Sequence, residues 1–178
     1  TWGLFRNEVR HIYLAGDPGT GKSEVLVHLA IRAANSGHQV LIMCPTGTLV
    51  HAYRERIPTH PNIVIETIHS ATVIVRENDQ VVMYAPPSRL RKFDMFLIDE
   101  GSQIDDSVAT RLRMALSELP QLYVIVVAAD YRQLQPIDGG GVMLNWCIEM
   151  EQFFLKEVHR TKDPELLSFL HTIRTEQP

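Results

Sequence analysis

The sequence has little cysteine, no excess of positive charge and no long apolar run, and each shortage excludes something. Two cysteines among 178 residues, Cys44 and Cys147, cannot build a disulfide framework or a four-ligand zinc site alone. They fit a reducing compartment, so an intracellular location is expected. Seventeen Lys and Arg against twenty-one Asp and Glu give a net charge of −4, so no global positive field draws in a polyanion. Any contact to nucleic acid must come from a local surface. The longest uninterrupted apolar run, Leu122–Ala129, falls far short of the ~20 residues a membrane helix needs. The first ten residues lack the apolar stretch of a secretory signal. Neither an internal repeat nor a low-complexity tract is present. What remains is ordinary globular material, 45% apolar and 21% charged, expected to form a single domain over residues 1–178.

Short apolar runs alternate with helical stretches. Ile12–Ala15, Val40–Cys44, Ile63–Ile65, Met95–Ile98 and Tyr123–Ala128 are rich in β-branched or large apolar residues. Continuous runs of this kind suit strands covered on both faces, as in a parallel sheet. Ser23–Asn35 reads as a helix ended by Ser36-Gly37. Asp106–Leu119 is another, with Val108, Leu112, Ala115, Leu116 and Leu119 on one face and Pro120 as its stop. A third begins at Asp163-Pro164. Thr72–Val75 and Val81–Tyr84 break the alternation and predict a β-hairpin with a polar turn, followed by a loop at Ala85–Ser88. The fold expected is α/β, a mostly parallel central sheet flanked by helices, with residues 70–93 as a small β insertion.

The segment Gly16-Asp17-Pro18-Gly19-Thr20-Gly21-Lys22-Ser23 matches the phosphate-loop pattern in full, after a predicted strand and before a predicted helix. Glycines let backbone N–H groups converge on phosphate oxygens without Cβ obstruction, and the helix N-terminus adds partial positive charge. In this reading Lys22 reaches the β- and γ-phosphates and the Ser23 hydroxyl binds Mg²⁺.

Met95–Ile98 runs directly into Asp99-Glu100. A buried strand delivers both carboxylates to the sheet edge where ligands bind in open α/β folds. Asp99 would then hold the Mg²⁺ shell through water, and Glu100 would act as general base on the attacking water. The next strand ends in Asp130-Tyr131-Arg132-Gln133-Leu134-Gln135-Pro136. An amide at this tip suits sensing of the γ-phosphate, or the segment is a polar turn.

Taken in order, these motifs resemble the first RecA-like domain of a superfamily 1 helicase, of the RecD-like type that moves 5′ to 3′ on DNA. Gly16–Ser23 resembles motif I, Cys44-Pro45-Thr46-Gly47-Thr48 motif Ia, and Thr67-Ile68-His69-Ser70 the short signature that follows it. Asp99-Glu100-Gly101-Ser102-Gln103 resembles motif II, and Asp130 to Pro136 motif III. Glu157-Val158-His159-Arg160, with Ile173-Arg174, resembles motif IV and its following helix. Motif II carries Gly101 where alanine is commoner, and motif Ia has Thr48-Leu49 where relatives often carry a lysine and alanines.

The resemblance implies a RecA-like P-loop NTPase that binds ATP with Mg²⁺ and couples hydrolysis to movement on single-stranded DNA. It implies that Gln133 couples nucleotide state to the DNA-facing side and that Arg160 reaches the γ-phosphate, where the plainer alternative is a surface salt bridge. Thr46, His69 and Ser70 would lie near the single strand, using short polar groups on phosphates; His69 reads equally as a helix cap or core histidine. The β insertion stands where relatives carry a small DNA-contacting subdomain, or it is a solvated hairpin. Motifs V and VI, which belong to a second RecA-like domain, are expected to be missing from this chain. An RNA helicase core of the same superfamily, a nucleotide-dependent interaction module and a small-molecule kinase are the competing readings. The Thr-Ile-His-Ser stretch favours DNA, and the kinase reading lacks an arginine-rich lid.

Overall fold

The computed structural model describes residues 11–17, 19–72, 74–78, 80–83, 88–130 and 141–155. Six strands, β1 (Ile12–Gly16), β2 (Val40–Cys44), β3 (Ile63–Thr67), β6 (Met95–Ile98), β7 (Val124–Ala129) and β8 (Glu151–Leu155), form one sheet in the order β3-β2-β6-β7-β1-β8. Every neighbouring pair is parallel. β1, β2 and β6 are buried along their whole length, which is why they read as continuous apolar runs rather than alternating ones.

Two core clusters lie on opposite faces of the sheet, and the two-residue period of each strand sorts its side chains between them. Ile12 and Leu14 face α1 (Lys22–Asn35) and α2 (Gly47–Arg56), packing with Leu26, Leu29 and Tyr53. Tyr13 and Ala15 face the other way, with α4 (Asp106–Ser117) and α5 (Val142–Ile148), packing with Leu112 and Trp146. The short helix α3 (Ile68–Thr72) closes this second side. Each such aliphatic or aromatic side chain contributes about 1.5–3 kcal/mol when fully buried. Among the described residues no helix is long and apolar enough to cross a membrane.

The expected all-important features, a parallel sheet flanked by helices and a separate hairpin, are those observed. Details differ for physical reasons. The hairpin strands are β4 (Ile74–Glu77) and β5 (Gln80–Met83), an antiparallel pair with a shorter turn than predicted. Asn78 in that turn takes φ 49°, a left-handed conformation that asparagine tolerates in tight hairpin turns. Thr72, predicted to open a strand, instead ends α3, its hydroxyl donating to the Ile68 carbonyl at 2.6 Å. Of the loop predicted at Ala85–Ser88, residues 85–87 lie outside the described residues, and Ser88 opens a 3-10 turn, Ser88–Lys92, that buries Leu90 against the core. β8 went unpredicted because its sequence, Glu-Gln-Phe-Phe-Leu, opens polar; only Phe153 of it is fully buried. The helix expected from Asp163 lies outside the described residues.

Candidate nucleotide site

The loop between β1 and α1 leaves the carboxyl end of a central strand, where its backbone can face solvent above the sheet. Gly19 and Gly21 adopt φ values of 78° and 87°, a region nearly closed to other residues. Gly21 is the N-cap of α1 and no side chain caps the helix, so its first N–H groups face the loop. Gly16 is needed for room: a Cβ there would stand 2.5 Å from Thr20 Oγ1 and 3.2 Å from the Leu155 carbonyl. Lys22 Nζ donates to the carbonyl oxygens of Gly16 at 2.7 Å and Asp17 at 2.9 Å. Thr20 closes the turn by donating Oγ1 to the same Asp17 carbonyl at 2.7 Å. Pro18 lies outside the described residues.

β6 delivers Asp99 and Glu100 beside this loop. Asp99 is buried to 1% exposure and is held by three donors: Ser23 Oγ at 2.8 Å and the Tyr53 hydroxyl at 2.5 Å on Oδ2, and the Glu100 backbone N–H at 2.7 Å on Oδ1. A buried carboxylate is tolerable only with such partners. Glu100 is half-buried and takes φ 50°, ψ 47°, a strained conformation for a residue with a side chain. Its carboxyl is raised above the ordinary glutamate range, first by burial, then by the charge of Asp99, with Lys22 opposing and Asp130 adding. Asp130, buried at the end of β7, thus joins the same electrostatic group. Cys44, at the end of β2, has its thiol pushed up to about 12 by burial and by Asp99, which keeps it neutral.

The site fits a divalent cation with few protein ligands. Ser23 gives its proton to Asp99, which leaves the hydroxyl lone pairs for a metal. Among the described residues no group of three or more His, Cys, Asp or Glu side chains is arranged to hold an ion. Mg²⁺ needs no such cage: it keeps several waters and binds through one or two protein oxygens plus phosphates.

The other predicted residues divide. Thr46 is exposed and caps α2, its Oγ1 accepting from the Leu49 N–H at 3.3 Å. His69 is half-buried on α3 and Ser70 is exposed there, its N–H held by Thr67 Oγ1 at 3.1 Å. Thr46 and this signature follow β2 and β3, neighbouring parallel strands, so both emerge at the same end of the sheet. Gln133 and Arg160 lie outside the described residues. Phe153 and Trp146 are buried in the core, whereas Phe154 on the same strand as Phe153 is exposed. Gly141 is the left-handed N-cap of α5, at φ 61°. Tyr53 is the residue that sequence reasoning missed. Val50, Tyr53 and Ile57 have helical apolar spacing, all three are buried, and that spacing was the available signal.

Gly101 explains a departure from the usual motif II. A Cβ there would stand 2.8 Å from Val127 Cγ1 and 3.4 Å from both Ala129 Cβ and Met143 Cε. The chain has no room for alanine at this position.

Over residues 4–178 the chain matches the AAA domain family. It is 26% identical over 151 residues to the ATP-dependent RecD2 DNA helicase of Deinococcus radiodurans, a match covering 85% of this chain and 20% of that helicase. The chain thus spans about a fifth of the length of this curated relative. Among solved structures, Bacteroides sp Pif1 in complex with ADP-AlF4 superimposes with a TM-score of 0.53 at 18% identity, over 97% of this chain and 44% of that one. The UvsW helicase from bacteriophage T4 gives a TM-score of 0.53 at 14% identity, over 82% of this chain and 54% of the other. These two likenesses establish the fold. With the phosphate loop on β1, the acidic pair on β6 and a family match across nearly the whole sequence, the chain belongs to the AAA domain family and has a RecA-like fold.

Proposed function

We propose that the chain is the ATP-binding and ATP-hydrolysing core of a DNA helicase, working on single-stranded DNA together with a second RecA-like domain. The observation that carries this reading is the Ser23–Asp99 contact of 2.8 Å. It joins the end of the phosphate loop to the end of β6, across 76 residues of sequence, at a place with the donors a Mg-nucleotide requires.

The geometry of the described residues supports the following roles. The N–H groups at the start of α1 and the Lys22 ammonium take the phosphates, Lys22 exchanging carbonyl partners for phosphate oxygens. Ser23 Oγ and, through water, Asp99 are the groups that would hold Mg²⁺, whose charge would offset that of the β- and γ-phosphates. Glu100 orients a water and takes its proton as general base. Gln133 and Arg160 are assigned from the sequence to sensing and charge stabilisation at the γ-phosphate. Thr46, His69 and Ser70 are assigned to the nucleic-acid side.

In this reading hydrolysis by these 178 residues without a second RecA-like domain is slow. An arginine supplied from a partner is worth about 10³–10⁵ in rate where this chemistry is well measured. The chain alone should therefore bind Mg-ATP, turn it over weakly and unwind nothing. The test is nucleotide binding by wild type and Lys22→Ala, then ATPase with and without single-stranded DNA after joining a second RecA-like domain. Equal ATP affinity for the two chains would overturn the nucleotide assignment. Failure of DNA to stimulate the joined protein would overturn the motor assignment, and stimulation by RNA alone would move it to RNA.

A further inference from the structure

Asp99 has one more donor than the phosphate loop can explain. Ser23 belongs to the loop and Glu100 is the next residue, but the Tyr53 hydroxyl comes from α2, 46 residues away in sequence. Its ring is 1% exposed and packs in the apolar cluster between the sheet and α1. Phenylalanine would fill that volume; only the hydroxyl needs polar partners there, and it has Asp99, to which it donates, with the Ser23 hydroxyl beside it.

Counting lone pairs shows what this contact does. An ionised carboxylate offers about four acceptor sites. Ser23 and Tyr53 occupy those on Oδ2, and the Glu100 N–H takes one on Oδ1. The acceptor left over among the described residues is therefore on Oδ1. With Oδ2 pinned from two sides the carboxylate cannot rotate, and its open lone pair has one direction.

We propose that Tyr53 is a positioning residue for cation binding: its hydroxyl fixes Asp99 so that Oδ1 meets a water of the hydrated Mg²⁺ that accompanies the nucleotide. This rests on the nucleotide reading above. Tyr53 touches neither nucleotide nor metal; it acts through Asp99, as hydrogen-bond partners commonly do behind metal sites.

The test is a Mg²⁺ titration of the 178-residue chain bound to a fluorescent ADP analogue, with affinity for the same analogue in EDTA measured in parallel. Tyr53→Phe should raise the Mg²⁺ concentration for half-saturation about tenfold and leave affinity in EDTA within about twofold. Tyr53→Met, a second apolar replacement with a more adaptable shape, should do the same, and carries the test if the first variant does not fold. In an Asp99→Asn background Tyr53→Phe should add no further loss, because the two residues act as one unit. An unchanged Mg²⁺ half-saturation in the single variants would overturn the proposal. So would an equal loss of affinity in EDTA, which would make Tyr53 a packing residue only. A wild-type chain that fails to bind the nucleotide, or binds it as well with Lys22→Ala, would overturn the nucleotide reading itself.

Discussion

The two halves of the site are held together in opposite ways. The phosphate loop is a local object. Its shape comes from glycines at positive φ, from a turn closed within four residues, and from Lys22 binding the carbonyls of Gly16 and Asp17. The end of β6 is a tertiary object. Asp99 is fixed by groups 76 and 46 residues away, arriving on α1 and α2. Damage to the loop should therefore appear as lost phosphate affinity with or without metal. Damage at the end of β6 should appear in metal response, turnover and fold stability.

The largest expected effect separates turnover from binding. Glu100→Gln should lower ATP hydrolysis by about 10²–10⁴-fold while nucleotide affinity holds, measured by single-turnover kinetics beside equilibrium binding. The same variant has a pH signature. The folded chain favours protonated Glu100, because burial and Asp99 raise its pKa. The stabilising contribution of that proton is complete below the ordinary glutamate pKa and is lost as pH rises through the raised value. Glu100→Gln should thus melt above wild type at neutral pH, and the gap should close in acid. Wild-type turnover should fall with acidification at a pH above the ordinary glutamate range.

Lys22→Ala comes next and falls on the other side of the comparison. Loss of its charge-assisted hydrogen bonds should weaken nucleotide by about 100-fold, in EDTA as well as in Mg²⁺, by the same binding assay. A loss confined to the Mg²⁺ arm would make the loop as dependent on the β6 end as the β6 end is on it.

Two smaller effects probe the tertiary half chiefly through stability. Gly101→Ala should cost about 1–3 kcal/mol in denaturant unfolding by overpacking against Val127, and Val127→Ala should restore part of it in the double variant. Thr46→Ala removes the cap of α2 and should cost about 1 kcal/mol. Because α2 carries Tyr53, fraying there should also loosen the Mg²⁺ response slightly, whereas α1, whose N-cap Gly21 makes no side-chain bond, has no equivalent lever.

The same contrast decides what was legible beforehand. Gly16–Ser23 could be read because its chemistry lies in consecutive residues and its spacing is the constraint. The strands β1, β2 and β6 were legible because burial on both faces leaves nothing but apolar residues in them. β8 was not, since an edge strand needs only one buried side chain here, Phe153. Helix α2 was hidden by a weak apolar pattern, with Val50 and Tyr53 its only buried residues. Tyr53 could be guessed to be buried, but which acid it reaches depends on β2 and β6 being neighbours in the sheet, which no local pattern encodes. Gly101 looked like a mild departure in sequence; its cause is the side chain of Val127 on β7, far from it in the chain.

The two carbonyl bonds of Lys22 have a consequence for the speed and cost of ligand capture. An ammonium free in water is strongly hydrated, and a phosphate must strip that shell to reach it. Here the ammonium has already exchanged part of its hydration for the Gly16 and Asp17 oxygens, and its long side chain has already given up rotamer freedom. Arrival of a phosphate becomes a swap of one oxygen acceptor for a more highly charged one. The loop is thus preorganised, and part of the entropy that binding would otherwise consume is met when the chain folds.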